Sequence, residues 1–260
     1  MCGLAGGTAI ERAALVAMRD RLGHRGPDAV GLWQEGERGP GLAHTRLKVI
    51  DLSEGGAQPM VSDDGRFVLA FNGEIYNHAE LRAELETAGH AFRSTSDTEV
   101  LLALLAAEGE AALSRLVGMF AFALWDRSRE ELLLARDRLG IKPLVWAPLA
   151  GGHFAFASEI GALAGVPGID VGIDRDALSA YLACLYVPAP ATMHAGIRKL
   201  PPGHVMRWRA GAAEAPRPYW RPDFRGDRRL GHDEAVEELM PLLRRAVRQR
   251  LVSDVLGGCF

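Results

Sequence analysis

The run Met119-Phe120-Ala121-Phe122-Ala123-Leu124-Trp125 is apolar at every position and constrains the fold more than any other segment. A half-exposed strand alternates apolar and polar residues, so a strand apolar on both faces needs a sheet covered on both sides. The run belongs to the longest apolar stretch, Val117 to Trp125, which falls far short of the roughly 18 residues a membrane span needs. Five further segments read as strands from their alternation and their Gly, Pro, Asp or Ser borders: Gly31–Gln34, Gly41–Asp51, Arg66–Asn72, Glu131–Arg136 and His153–Ala157. Helical spacing marks Glu11–Leu22, His78–Ala88 and Asp97–Ala107. Helices standing between blocks of antiparallel strands predict a layered α+β domain, with sheets inside and helices outside.

That domain is expected to span residues 2–208. Residues 209–231, rich in Pro, Arg and Gly, read as a linker. An amphipathic helix follows from about His232 to Val252, with Val236, Leu239, Leu243, Val247 and Leu251 on one face and Pro241 as a kink. The segment from Asp254 to Phe260 reads as a turn entering a strand whose neighbours are missing.

Charge and cysteine usage narrow the function. With 30 Lys plus Arg against 33 Asp plus Glu, the chain lacks the basic excess that displaces counterions from nucleic acid. No secretory leader pattern opens the sequence. The three cysteines, Cys2, Cys184 and Cys259, are too few and too widely spaced for a disulfide framework, so a reducing cytoplasm is expected. Phosphate-binding glycine loops, C-x-x-C and H-E-x-x-H are absent, and the eight histidines show no metal-ligand spacing, so no metal site is expected.

Cys2 stands apart by its position. Removal of Met1 would put a thiol and a free α-amine on one residue. An α-amine with a pKa of about 7.7 to 8 serves as a base near neutrality, where a thiol with a pKa of about 8.5 is mostly protonated. Alone, a cysteine at position 2 reads more simply as accidental.

Its surroundings favour the catalytic reading. Met1-Cys2-Gly3-Leu4-Ala5-Gly6, His24-Arg25-Gly26-Pro27-Asp28, His44-Thr45-Arg46-Leu47, Phe71-Asn72-Gly73-Glu74-Ile75-Tyr76-Asn77 and Ser94-Thr95-Ser96-Asp97-Thr98-Glu99-Val100 resemble, in order and spacing, the class II glutamine amidotransferase domain. Later blocks, among them Ala135-Arg136-Asp137-Arg138-Leu139-Gly140-Ile141-Lys142-Pro143-Leu144 and Ala157-Ser158-Glu159-Ile160, resemble its glutamine-hydrolysing asparagine synthetase branch. The resemblance implies the four-layer αββα sandwich of N-terminal nucleophile hydrolases. Residues 232–260 would then be the first helix and strand of an incomplete α/β synthetase domain.

The resemblance also implies roles. Cys2 would be the nucleophile, with the Asn72 side chain and the Gly73 N–H forming the oxyanion hole. Without it, Asn72-Gly73 reads as a tight type I′ turn, although the segment that follows is helical and supplies no return strand, so a hairpin explains little. Arg46 would grip the α-carboxylate of L-glutamine, a task suited to a guanidinium, although it also reads as a solvated residue of an alternating strand. Leu47, Lys48, Val49 and Ile50 would line the pocket. Asp97, which also reads as a first-turn acid behind the capping box Ser96-x-x-Glu99, would pair with the substrate ammonium beside Glu74. Arg25 to Asp28 read mainly as a structural loop near the mouth. Glutamine hydrolysis needs no cofactor. Aspartate, ATP and Mg²⁺ would enter only through the synthetase domain, where Phe260 falls at a position that touches ATP in the family. No nucleic acid or membrane partner is expected, and a homodimer is compatible with the family. Two alternatives stand beside this reading: an amidotransferase serving a sugar or a secondary metabolite, and a non-catalytic domain retained for docking.

Overall fold

In the computed structural model, which describes residues 1–226 and 229–255, the chain begins with β1 (Gly3–Gly7), α1 (Arg12–Asp20), β2 (Ala29–Gln34) and β3 (Gly41–Arg46). It continues through β4 (Met60–Val61), β5 (Phe67–Ile75), α2 (His78–Thr87), α3 (Asp97–Glu108), β6 (Gly118–Asp126), β7 (Glu131–Arg136) and β8 (Val145–Pro148). Then come β9 (Phe154–Ala157), α4 (Ile160–Leu163), α5 (Arg175–Cys184), β10 (Arg198–Lys199), β11 (His204–Arg209), β12 (Ala212–Ala213), β13 (Arg217–Pro218) and α6 (His232–Gln249).

The strands form two antiparallel sheets. One has the order β10-β8-β9-β1-β3-β2, the other β12-β11-β7-β6-β5-β4, with β13 also on β11. The all-apolar run lies in β6, in the middle of the second sheet, and its two faces enter two different cores. Phe120, Phe122 and Leu124 pack against α2 and α3 through Leu81, Leu85, Val100, Leu101 and Leu104. Ala121, Ala123 and Trp125 face the other sheet and meet Leu4, Leu42, Phe154 and Phe156. On the far side of the first sheet, Ala5, Ala43, Ala155 and Ala157 are covered by Leu15, Met18 and Leu22 of the α1 region and by Ala162 and Leu163 of α4. Helices, sheet, sheet and helices therefore stack as αββα, the fold implied by the resemblance.

Because Phe122 is fully buried between β6 and the helical layer, Phe122→Ala is expected to lower unfolding free energy by about 3 to 5 kcal/mol. The midpoint of a chemical denaturation curve checks this.

Several boundaries differ from the sequence expectation. The strand expected to reach Asp51 ends at Arg46. Beyond it the Lys48 amide donates to Asp28 Oδ2 at 2.8 Å and Asp51 turns through a positive φ of 56°. The strand expected to end at Asn72 runs on to Ile75, so Asn72 and Gly73 pair with Ala121 and Phe120 and form no hairpin turn. Gly73 is required there, because a Cβ would fall 2.2 Å from the Met119 carbonyl oxygen. The short strand β8 and the helix α5 were not expected. The boundary placed at residue 208 also moves: β12 and β13 both pair with β11, and the Tyr219 hydroxyl donates to Arg136 O at 3.0 Å. Prolines in this stretch suit an edge strand, which need not donate on its outer side. The last helix ends at Gln249, short of Val252, and runs through Pro241 without stopping. Of the strand expected toward Phe260, residues 256–260 lie outside the described residues.

Candidate active site

The edge of the β1–β3–β5 region and the start of α3 enclose a cavity of about 100 Å³. It is lined by Met1, Cys2, Arg46, Leu47, Val49, Ile50, Gly56, Gln58, Phe71, Asn72, Gly73, Glu74, Ser96, Asp97, Thr98 and Lys142. Segments far apart in sequence meet here because β1 pairs with β3, putting Cys2 just ahead of the Gly3–Thr45 pair and beside Leu47.

The Cys2 sulfur contacts the Leu47 backbone, 3.4 Å from its N–H and 3.6 Å from its carbonyl oxygen. Burial pushes the thiol above its usual range, against the Leu47 N–H and the charges of Arg46 and Lys142. The chain's first amine, on Met1, is pushed down mainly by burial. Arg25 fixes this end of the chain: its Nε donates to the Cys2 carbonyl at 2.9 Å and its Nη1 to Glu159 Oε1 at 2.6 Å. A segment read from sequence as a mouth loop thus carries a direct hold on residue 2.

Asn72 is 1% exposed, and its Nδ2 is buried without an acceptor among the described residues. A buried donor left without a partner is unfavourable by about 1 to 3 kcal/mol, a cost that an acceptor on a bound molecule would remove. One residue earlier, Phe71 O accepts a 3.0 Å bond from His44 Nε2, and Phe71 N donates to Gln58 Oε1 at 2.6 Å. The His44 ring is fully buried and held neutral, its pKa lowered to about 4 by desolvation, consistent with an Nε2–H tautomer. These bonds fix the backbone that carries Asn72.

At the other end of the cavity, Asp97 Oδ2 accepts the Ile75 N–H at 2.9 Å. Asp97 opens α3, whose Ser96 cap accepts from Thr98 N at 3.2 Å. The capping box is incomplete: Glu99 reaches back to Arg93 N and Ser94 N, at 2.9 and 2.8 Å, instead of Ser96 N. Burial raises the Asp97 pKa to about 6 despite the bond from Ile75 N–H. Glu74, half-buried, is also raised by desolvation, opposed by Lys142.

Arg46 is 4% exposed. Its Nη1 donates to Ser53 O at 2.8 Å, and its Nη2 to Asp51 O and, at 3.5 Å, to Ile50 O. Gly56 lies directly on this guanidinium, where a Cβ would sit 2.0 Å from Nη2.

Of the residues expected from sequence, the cavity gathers Cys2, Arg46, Leu47, Val49, Ile50, Asn72, Gly73, Glu74 and Asp97. Lys48 is not among its walls: its Nζ reaches Glu54 Oε1 at 3.0 Å. Phe260 lies outside the described residues. Sequence reasoning missed Gln58, Ser96, Thr98 and Lys142. Lys142 is 5% exposed, and burial lowers its pKa against the pull of Glu74 and Cys2. The available signal was its rarity, as one of only Lys48, Lys142 and Lys199 in an arginine-rich chain. Among the described residues, no group of three His, Cys, Asp or Glu side chains stands close enough to hold a metal ion.

A family profile described as "Glutamine amidotransferase domain" matches residues 1–220. The chain belongs to the glutamine amidotransferase domain family. Asparagine synthetase [glutamine-hydrolyzing] 1 of Bacillus subtilis is 37% identical over 268 residues, covering 100% of this chain and 42% of the relative. A putative asparagine synthetase [glutamine-hydrolyzing] of Mycobacterium bovis is 38% identical over 273 residues, covering 99% of this chain and 42% of the relative. The chain thus spans less than half the length of these curated relatives. The solved structure of glutamine phosphoribosylpyrophosphate amidotransferase from B. subtilis, complexed with ADP and GMP, superposes with a TM-score of 0.63 at 21% identity, over 85% of this chain and 50% of that one. That similarity shows a shared fold.

Proposed function

We propose that this domain hydrolyses L-glutamine to glutamate and ammonia through a thioester on Cys2. The observation that carries this reading is the acceptorless Asn72 Nδ2 in the wall of the cavity that also holds the Cys2 sulfur. An amide donor already desolvated and aimed by its backbone needs no reorganisation to meet a developing oxyanion.

Removal of Met1 would leave the α-amine on Cys2 itself. Burial lowers the pKa of the first amine where it now stands, on Met1, and an α-amine beside a thiol can act as base to its nucleophile. The thiol proton passes to the amine as the sulfur bonds the δ-carbon, and the carbonyl oxygen becomes an oxyanion facing Asn72 and Gly73. Collapse breaks the C–N bond while the amine returns its proton, releasing ammonia. Water then attacks the thioester, giving glutamate and restoring the thiol. Arg46 and Asp97 stand to hold the α-carboxylate and α-ammonium, which selects the free amino acid over a peptide-bound glutamine.

The ammonia acceptor we propose is aspartate, activated with ATP and Mg²⁺ by a synthetase domain of the kind that the relatives' names imply. None of the residues described supplies a phosphate-binding loop, so ATP and Mg²⁺ would be held by that synthetase domain. Equimolar glutamate and ammonia from L-glutamine, without release from N-blocked glutamine, is the expected result. Absence of both products would reject the reading.

Asp97 gives a pH dependence with a definite sign. Its carboxylate attracts the ammonium only when ionised, so KM for glutamine is expected to rise as pH falls through about 6, with kcat less affected. Steady-state kinetics from pH 5 to 8, with Asp97→Asn as a high-KM control, provide the check. The same shift means that the folded protein binds the extra proton between the ordinary 3.8 and about 6. This group therefore favours folding as pH falls through that window and opposes it as pH rises.

A further inference from the structure

After α6 the chain returns to the loop that walls the cavity. The Asp254 carboxylate Oδ2 accepts the Asp51 N–H at 2.7 Å, and the Asp254 N–H donates to Val49 O at 2.9 Å. Between these two anchors lies Ile50, which with Val49 lines the cavity. This loop belongs to no strand, and at Asp51 it passes through a φ of 56°, a conformation uncommon for residues other than glycine. Its inner anchors are the Arg46 bonds to the carbonyls of residues 50, 51 and 53, and the Asp51 carboxylate, which accepts from Ser53 N at 2.9 Å and Thr95 N at 3.0 Å.

Asp254 supplies an anchor from the opposite side. Its segment is held by a local turn, in which Val255 N donates to Ser253 Oγ at 3.1 Å, and by the Arg250 guanidinium 4.7 Å from the centre of the Tyr76 ring. A carboxylate accepting a backbone N–H makes a charge-assisted bond, stronger than a neutral one. The loop is therefore bonded on one side to the arginine expected to hold the substrate carboxylate, and on the other to a residue outside the sandwich.

We propose that Asp254 is a positioning residue for glutamine binding: through the Asp51 amide it holds the Val49–Ile50 wall in the shape that accepts substrate, so that the segment after α6 sets the affinity of the cavity. This rests on the glutamine reading above. Asp254 is exposed and touches neither the nucleophile nor the oxyanion donors, so its influence falls on binding and leaves the chemical step alone.

The test compares the full chain with Asp254→Ala, which removes the acceptor, and Asp254→Asn, which keeps a neutral acceptor oxygen. Loss of one such bond is expected to raise KM for glutamine roughly three- to tenfold in Asp254→Ala with kcat changed less than about twofold, and Asp254→Asn should recover most of the loss. Hydrogen exchange at the Asp51 amide should quicken in Asp254→Ala while exchange in β6 stays the same, which separates loop release from unfolding. An unaltered KM, or a fall in kcat at constant KM, would overturn the proposal. If the unaltered protein hydrolyses no glutamine, the functional reading fails instead, and the exchange measurement decides alone: unchanged protection of the Asp51 amide in Asp254→Ala overturns the positioning role.

Discussion

Cys2→Ala protein is expected to lose glutamine hydrolysis by roughly 10⁴-fold or more, because the nucleophile and the covalent route disappear together. The substitution should leave the fold intact. Among the described residues the sulfur's hydrogen-bond contacts are two long ones, both to Leu47, whereas the position of residue 2 is secured by its backbone, through the bond from Arg25 to its carbonyl and the β1–β3 pairing that follows. Glutamine should still bind, since Arg46 and Asp97 are untouched, so calorimetry should detect glutamine binding to the inactive protein. Cys184 provides the contrast: it is exposed and free, and Cys184→Ala should hydrolyse glutamine at the original rate. Ammonia release measured side by side on the three proteins separates a catalytic thiol from an incidental one.

Asn72→Ala is expected to lower kcat about 10² to 10³-fold, with KM changing far less. The amide group is most useful when the substrate carbonyl carries negative charge, so its loss is felt in the transition state more than in the bound ground state. Ordinarily, removal of a buried polar side chain confounds activity with stability. Here Nδ2 has no acceptor in the resting protein, so deleting it breaks no hydrogen bond of that group, and thermal denaturation should show little loss beyond that of the missing volume. A fall in KM-dependent binding at constant kcat would assign Asn72 to substrate binding and remove it from the oxyanion hole.

Much of this arrangement was legible in the sequence, for identifiable reasons. A sheet covered on both sides was visible because Met119 to Trp125 is apolar on both faces, and β6 does face a core on each side; the four-layer order came from the family resemblance. The helices α1, α2 and α3 were visible because their buried residues recur at helical spacing. What escaped was set by tertiary contact. The alternating strand expected from Gly41 to Asp51 fails at Lys48, because the chain leaves the strand after Arg46 and its next amides bond Cys2 and Asp28. Asn72-Gly73 carries a turn-like composition, yet its pairing with β6 holds it extended. The stretch after Trp208 looked like a linker because of its prolines, which edge strands also tolerate. Lys142 and Gln58 entered the cavity from segments whose local pattern says nothing of a ligand. Their place follows from the way the two sheets meet.

The central claim is that the sulfur of residue 2 attacks glutamine with its own α-amine as proton carrier. Intact-mass and N-terminal peptide spectrometry on protein quenched in acid during turnover tests it most directly. The expected species is a chain that begins at Cys2 and carries one glutamyl group on that residue, absent from Cys2→Ala. Protein that hydrolyses glutamine at full rate with Met1 still attached, or with the glutamyl group on another residue, would contradict it.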